Sequence, residues 1–395
     1  MAGNDGKRLP RTVIVLGLVS LLNDAASEMI TPLLPLFLTL QLGAGPAIVG
    51  LIEGLAETTS SLLKLWSGRL ADRGVPAKGL VLGGYLLSNS ARPLIGLATG
   101  WGMVLGLRFG DRLGKGLRTS PRDALISAAV PSAIRGRAFG FHRSLDHLGA
   151  MIGPLLAFLL LAGGMEMGEV FLCSVVPGIL VVTLLALGLP PAPRVRPEAP
   201  PPLRWRPLDR RLRGLLLAAA ALAFATLPEA LVILWAGQQG VAVAWIPLLW
   251  ALAHAVKSLL AFAAGALSDS LGRLPVVVAG WLLRVAVLAA MALAPPHFLT
   301  AVLLFLAYAG GLAATEGAER AFIGDLAPPA LKATAFGLYH LLVGLLALPG
   351  GLLFGLLWQQ WGMEPAFLAS ALLTAGAATT LLLLTRAQPR AGRQA

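Results

Sequence analysis

The sequence predicts an all-α membrane protein with twelve transmembrane helices, arranged as two pseudo-symmetric six-helix halves. Three observations lead to this class. First, the 395-residue chain is 57% hydrophobic and only 13% charged, whereas an ordinary soluble domain is about 25% charged. Second, its apolar runs are continuous and rich in Leu and Ala, without the alternation that a transmembrane barrel requires. Third, short motifs of the first half recur in the second half at a constant distance.

Twelve segments each approach the ~20 mostly apolar residues that a spanning helix needs. They are predicted at 12–39, 46–68, 79–98, 101–121, 138–163, 169–189, 214–237, 243–266, 275–294, 298–319, 334–359 and 364–385. The first follows a short polar stretch without a small-residue cleavage site, so we expect a retained span and not a signal peptide. The single cysteine, Cys173, excludes an internal disulfide and argues against a cysteine metal cluster.

Basic residues orient these helices. With the N-terminus in the cytoplasm, all 31 Lys and Arg residues lie within spans or in cytoplasmic segments, and the outer loops hold none. This is the positive-inside bias of a multi-pass protein in the cell membrane, and it predicts that both termini are cytoplasmic. The same bias accounts for the net charge of +12, so nucleic-acid binding is not needed to explain it. The lipid bilayer is the expected partner.

A proline-rich stretch divides the chain. Residues 190–207 contain eight prolines and are followed by several arginines. A segment of this composition cannot form a packed helix and behaves as a semi-rigid, extended spacer. We therefore expect an N-terminal half at 1–189, a cytoplasmic linker at 190–213 and a C-terminal half at 214–395.

The two halves match at a constant offset of 197 residues. Matching pairs are Gly68 and Gly265, Asp72 and Asp269, Gly114 and Gly311, and Gly153 and Gly350. Duplicated halves of this kind place a solute site at the bilayer midplane between them, exposed alternately to each side. The repeat therefore predicts a secondary transporter.

Two segments resemble the loop motifs of the major facilitator superfamily: Gly-Arg-Leu-Ala-Asp-Arg at 68–73 and Gly-Ala-Leu-Ser-Asp-Ser-Leu-Gly-Arg at 265–273. The first copy departs from the family pattern after Arg73. The resemblance implies a functional monomer without a cofactor, in which helices 1, 2, 4, 5, 7, 8, 10 and 11 line the cavity. It assigns gating and loop roles to Gly68, Asp72, Arg73, Gly265, Asp269, Gly272 and Arg273.

A third motif lies in the fifth span. Gly149-Ala-Met-Ile-Gly153-Pro154 resembles a motif associated with proton-coupled antiporters of the same superfamily. Small residues four apart also permit close helix packing. The sequence leaves open whether Gly149, Gly153 and Pro154 serve antiport or simply packing.

Charged residues within spans indicate functional sites, because each costs free energy to bury in the membrane. A carboxylate in an apolar cavity can take up and release protons near neutral pH, since burial disfavours its charged form. The alternative is structural pairing with Lys64 or a nearby arginine. The candidates for proton coupling are Glu57, Glu28, Glu53, Asp24 and Asp146.

The fourth span carries a stripe of cations on one helical face. Its charged residues are Arg108, Asp111, Arg112, Lys115, Arg118 and Arg122. Such a stripe can bind a carboxylate or phosphate, or it can pair internally with neighbouring carboxylates. We expect at least one of Arg112, Lys115 and Arg118 to contact the solute, and the further candidates are Arg143, Glu229, Lys257 and Glu316.

Two further arrangements concern the fifth span and the helix ends. In the fifth span, His142 and Asp146 share a face, which suits either a divalent metal or a proton relay. At the helix ends, Arg122 lies before Asp123 and Glu319 lies before Arg320 at the repeat offset, so the charges are inverted. Arg122 and Glu319 can therefore bridge the halves in one state and separate in the other.

The leading interpretation is proton-coupled export of a small anionic or zwitterionic organic solute, such as a metabolite, a siderophore-like chelator or a polar drug. A proton-coupled uptake symporter and a divalent-metal exporter are the alternatives. A membrane enzyme and a non-transporting receptor are more distant ones. The sequence contains no nucleophile elbow, zinc-protease motif or nucleotide-binding loop.

Overall fold

The computed structural model describes residues 9–131, 134–189, 205–328 and 331–385. All regular secondary structure in these ranges is helical. Most of the predicted linker lies outside the described residues. Eight segments are long and apolar enough to cross a membrane. They are Arg137–Ala162, Met167–Gly188, Arg210–Gln238, Val243–Ala261, Arg273–Leu293, Phe298–Leu326, Thr334–Trp361 and Met363–Thr385.

Helices follow the predicted segments in order, and three predicted segments (12–39, 169–189 and 214–237) are interrupted. The first half contains α1 (Arg11–Glu28), α2 (Leu34–Leu36), a π-helical turn (Phe37–Gln41), α3 (Pro46–Asp72), α4 (Ala77–Leu94), α5 (Trp101–Ala128), α6 (Arg135–Ala162), α7 (Met167–Cys173) and α8 (Val175–Gly188). The second half contains α9 (Arg210–Ala225), α10 (Glu229–Gln238), α11 (Ile246–Leu271), α12 (Arg273–Leu293), α13 (Phe298–Leu326), α14 (Lys332–Trp361) and α15 (Met363–Thr385).

Three of the differences between the predicted segments and the structure involve prolines. The segment at 214–237 is interrupted between α9 and α10, because Pro228 disfavours helical geometry at the preceding residue. The segment at 12–39 is interrupted after Glu28, close to Pro32. The helix that begins at Trp101 continues through Pro121 to Ala128.

The internal repeat reappears as equivalent helix crossings. In the first half, a Cβ added to Gly153 would lie 2.4 Å from the carbonyl oxygen of Ala25, where α6 crosses α1. In the second half, a Cβ added to Gly350 would lie 2.6 Å from the carbonyl oxygen of Phe224, where α14 crosses α9. The 197-residue offset therefore relates close backbone contacts as well as motifs.

The loop motifs differ by one residue between the halves. Gly74 (φ 90°) follows α3 and Gly272 (φ 91°) follows α11, and both adopt the left-handed conformation that favours glycine. These two glycines are 198 residues apart, whereas Asp72 and Asp269 are 197 apart. The left-handed glycine therefore comes two residues after Asp72 in the first loop and three residues after Asp269 in the second.

The two halves share their apolar core at one end only. One large cluster combines residues of both halves, including Phe37, Ile52, Trp235 and Phe354. Two smaller clusters each belong to a single half. One contains Val13, Tyr85 and Ile126 of the first half, and the other contains Leu212, Trp281 and Phe322 of the second. The halves are therefore joined at the end that carries the α2–α3 loop.

Close contacts between α3 and α14 hold this end together. A Cβ added to Gly50 would lie 2.1 Å from the carbonyl oxygen of Gly351. Further along the same pair of helices, the Thr58 hydroxyl donates a 2.5 Å hydrogen bond to the carbonyl oxygen of Gly344. Backbones can approach this closely only where side chains are absent.

Candidate functional site

A buried ion-pair network anchors the fourth-span helix α5. Asp111 is fully buried, and Arg92 of α4 donates a 2.8 Å hydrogen bond to its Oδ1. Arg108 lies 3.5 Å from Oδ2 of the same carboxylate. Arg92 also donates to Oδ1 of Asn23 on α1, at 3.0 Å. Because a buried charge is tolerated only when it is paired and hydrogen-bonded, this network holds three helices in register.

The carboxylate of Glu53 joins the same ion-pair network through Arg108. Arg108 donates from Nη2 to Oε1 of Glu53 at 3.0 Å. Glu53, a predicted proton-coupling residue, therefore has a guanidinium partner in this conformation.

Four charged groups near α5 have no opposite charge within 4 Å among the described residues. They are Asp24, Glu57, Lys64 and Lys115. Lys115 lies within electrostatic range of the other three. Glu57 is deep in the bundle, yet its side chain is exposed, as expected for a group that lines an internal cavity. We call this group of two carboxyls and two ammonium groups the charged chamber.

Arg112 and Arg118 occupy different environments. Arg112 lies 3.7 Å from Asp111, has a side chain that is 11% exposed and lies within electrostatic range of Glu57. Arg118 is 4% exposed, donates to the Ser88 hydroxyl at 2.6 Å and lies over the ring of Tyr85 at 4.3 Å. Arg118 is therefore held between α4 and α5, whereas the Nε of Arg112 has no hydrogen-bond partner among the described residues.

The fifth-span carboxylate Asp146 accepts several interactions. The Ser20 hydroxyl of α1 donates to it. His142 Nδ1 and Arg143 Nη1 lie 3.5 Å and 3.3 Å from its Oδ2. Arg143, a predicted solute contact, has a side chain that is 59% exposed. Among the described residues, no three His, Cys, Asp or Glu side chains are grouped as a metal site.

Glu28 connects the two halves. Its Oε2 accepts a 2.8 Å hydrogen bond from the indole of Trp250 on α11 and lies 3.9 Å from Nε2 of His254. Lys257, also on α11, lies over the Trp250 ring at 5.0 Å and pairs with Glu229 of α10. A proton-coupling candidate of the first half therefore contacts the helix that carries Lys257, a solute-binding candidate of the second half.

The remaining candidates lie near the end where the cores separate. Glu316 is exposed and pairs with Arg320, one turn later on α13. Glu319 is buried and accepts a 2.7 Å hydrogen bond from the indole of Trp281. Arg122 pairs with its neighbour Asp123 at 2.9 Å. Arg122 and Glu319 each bond within their own half in this conformation.

The second loop motif forms an ion-pair cluster. Arg273 pairs with Asp269 and, at 3.1 Å, with Asp325 at the end of α13. The first motif residues Gly68 and Asp72 lie in the last turns of α3, and Arg73 follows the helix end. The motif at 265–273 begins within α11, and Gly272 ends that helix.

The fifth-span glycines pack tightly on α1. A Cβ at Gly149 would lie 2.3 Å from the carbonyl oxygen of Leu21, and one at Gly153 would lie 2.4 Å from that of Ala25. Pro154 lies within α6, which continues past it to Ala162. These contacts account for the glycines by packing.

Sequence reasoning did not single out Trp250, Trp281 or Ser20 as site residues. Each hydrogen-bonds a membrane-embedded carboxyl. A tryptophan on a helix that also carries charged residues could have indicated such a contact from the sequence, because a buried indole N–H usually finds a hydrogen-bond partner.

Comparisons with known proteins agree with this architecture. The model of the Major Facilitator Superfamily matches residues 16–261. The chain is 31% identical to an uncharacterised MFS-type transporter of Methanocaldococcus jannaschii, over 89% of this chain and 90% of that protein. It is 30% identical to the multidrug resistance protein MdtH of Aeromonas hydrophila, over 45% of this chain and 46% of that one. The fold is similar to a bacterial homologue of the human lysosomal transporter Spinster, with a TM-score of 0.79, 20% identity and coverage of 94% and 96%.

Proposed function

The chain belongs to the Major Facilitator Superfamily, and on that premise we propose that it exports a small anionic or zwitterionic organic solute in exchange for protons. It is a multi-pass membrane transporter and not an enzyme. Export, proton coupling and the solute class are the proposed parts. The main observation that supports this proposal is the charged chamber, where carboxyl and ammonium groups have no ion-pair partners among the described residues.

The chamber provides complementary groups for a solute with an acidic end. Lys115 acts as a point charge and Arg112 as a planar fork toward a carboxylate or phosphate. An ammonium group on a zwitterion competes with protons for Asp24 and Glu57, and that competition is the requirement for exchange. Lys257 and Glu229 provide a second pair of charges from the opposite half.

Proton coupling is assigned first to Glu57. It is exposed to the chamber and receives a 3.1 Å hydrogen bond from Ser61, but no described cation lies within 4 Å. Glu53 and Glu28 have partners, so a change in their protonation must accompany rearrangement of a bond.

The proposed topology has twelve spans, cytoplasmic termini, an inner-membrane location and a functional monomer. The helices α1, α3, α4 and α5 supply the spans beyond the eight that are apolar enough by composition. Their charged residues lower their hydropathy. With this orientation, the separated cores lie at the cytoplasmic side, so the conformation is inward-open.

Arg122 and Glu319 are proposed as a gate pair that forms when the cytoplasmic side closes. Charge reversal at either residue should impair transport. Reversal at both together should restore it, because the pair is then re-formed with opposite polarity. Absence of mutual rescue would remove the gate pair from the mechanism.

The partial match to a multidrug resistance protein supports the export direction. The test is reconstitution in liposomes with an imposed pH gradient and a trapped pH-sensitive dye, followed by a screen of carboxylates, phosphates, amines and zwitterions. Exchange predicts that a solute gradient drives protons in the opposite direction. Proton movement in the same direction as the solute would identify a symporter, and solute movement without protons would remove proton coupling.

A further inference from the structure

Glu319 is a buried carboxyl on α13 that the charged chamber does not include. Glu319 as a whole residue is 6% exposed. Among the described residues, no Lys, Arg or His nitrogen lies within 4 Å of it. The neighbouring Glu316 is exposed and paired with Arg320. Two carboxyls three residues apart therefore have opposite environments.

Neutral hydrogen-bonding groups surround the Glu319 carboxyl. The indole Nε1 of Trp281 on α12 donates to its Oε1 at 2.7 Å. The hydroxyls of Thr315, one turn earlier on α13, and of Tyr339 on α14 lie close to it, and the Thr315 hydroxyl donates to the carbonyl oxygen of Leu312 at 3.3 Å. Three helices of the second half thus present one indole and two hydroxyls to a single carboxyl.

The charged side chains that face this carboxyl lie farther away or are engaged elsewhere. Arg284 of α12 donates to the Tyr308 hydroxyl at 3.4 Å and lies over that ring at 5.5 Å. Arg320 pairs with Glu316 on α13. Arg284, Arg320 and Glu316 are the charged groups with the largest effect on Glu319 or on Tyr339 beside it.

An ionised carboxylate is costly to bury without a cation, whereas a protonated carboxyl needs only hydrogen-bond partners. A protonated Glu319 can accept from Trp281 with one oxygen and donate its O–H to a hydroxyl oxygen with the other. We infer that Glu319 is a proton-binding site of the second half, occupied in this conformation and separate from the carboxyls of the charged chamber. Any cycle that ionises it must bring water or a cation to it.

Infrared difference spectroscopy on the purified, reconstituted protein tests this directly, because a protonated carboxyl has its own C=O stretching band. At neutral pH, the spectrum of the wild type minus that of Glu319→Gln should contain the band of one carboxylic acid. Glu316→Gln is the matched control and should leave that band at full area. Trp281→Phe should keep the band and move it to higher frequency, because one hydrogen bond to the carbonyl is lost.

The inference is overturned if wild type and Glu319→Gln have the same carboxylic acid absorbance, or if Trp281→Phe leaves the band unmoved. If Glu319→Gln does not fold, the frequency shift of the band in Trp281→Phe still tests the inference. These results are independent of solute transport. A Glu319 band without solute-driven proton flux removes the proposed exchange and keeps the site. Proton flux that depends on Glu57, without a Glu319 band, keeps the proposed exchange and removes the Glu319 proton site.

Discussion

The indole of Trp250 donates a 2.8 Å hydrogen bond to Glu28 across the boundary between the two halves. Lys257 lies over the same indole and pairs with Glu229. Under the proposed function, a solute that engages Lys257 acts on the same indole that joins Glu28 to the opposite half. The proposed solute site and the contact between the halves therefore share one tryptophan.

Trp250→Phe should weaken the contact between the two halves at the end where they share their apolar core. A hydrogen bond to a charged group contributes about 1.5–3 kcal/mol, so its loss shifts a two-state equilibrium by roughly tenfold to a hundredfold. Spin labels at Gly140 and Ser270, in a Cys173→Ala background, report the separation of α6 and α11. We expect shorter distances in Trp250→Phe, as conformations open at the other end gain population. The exposed Trp66, changed to Phe, is the control, and equal distributions in both variants would contradict the link.

Asp111→Asn should strongly destabilise the fold. It leaves Arg92 and Arg108 buried without their shared carboxylate, and breaking a buried pair costs about 3–5 kcal/mol. Thermal unfolding in detergent measures the loss. Glu316→Gln, at an exposed position where the carboxylate pairs with the exposed Arg320, should change stability by less than about 0.5 kcal/mol. Similar melting curves for the two variants would argue against the network as an anchor.

Gly149→Ala and Gly153→Ala test the choice between packing and antiport for the fifth-span motif. Each added methyl meets a carbonyl oxygen at less than 2.5 Å, so we expect destabilisation of about 1–3 kcal/mol from forced backbone movement. Gly140→Ala, with no atom within 4 Å, is the control. If stability is unchanged while solute transport becomes uncoupled from protons, the antiport role is supported over packing.

Lys115→Met should weaken binding of acidic solutes by about tenfold or more, because a charge-assisted hydrogen bond is lost from a site of low dielectric. Solutes found in the liposome screen are the probes, and solute-induced thermal stabilisation gives the affinity. Lys78→Met is the control, because Lys78 bonds the carbonyl oxygen of Leu189 outside the chamber. Undiminished affinity in Lys115→Met would place the acidic end of the solute elsewhere.

The sequence predicted the helical membrane class and the family, because hydropathy and the repeated motifs are local properties. It also placed Asp111 among the cations of α5. It did not predict that Arg92 pairs with Asp111 or that Trp250 bonds Glu28, since those contacts depend on how separate helices cross. The break before Glu229 was missed because the apolar pattern continues through Pro228, although the proline itself was a usable signal.

The proposed exchange of protons for solute in the charged chamber is tested most directly by Glu57→Gln. In liposomes with a pH gradient, solute-driven proton flux should fall at least tenfold in this variant, because an amide cannot carry the proton. The exposed Glu364→Gln, at the start of α15, should retain wild-type flux. Equal proton flux in the wild type and Glu57→Gln, with the same solute, would contradict the assignment of coupling to the chamber.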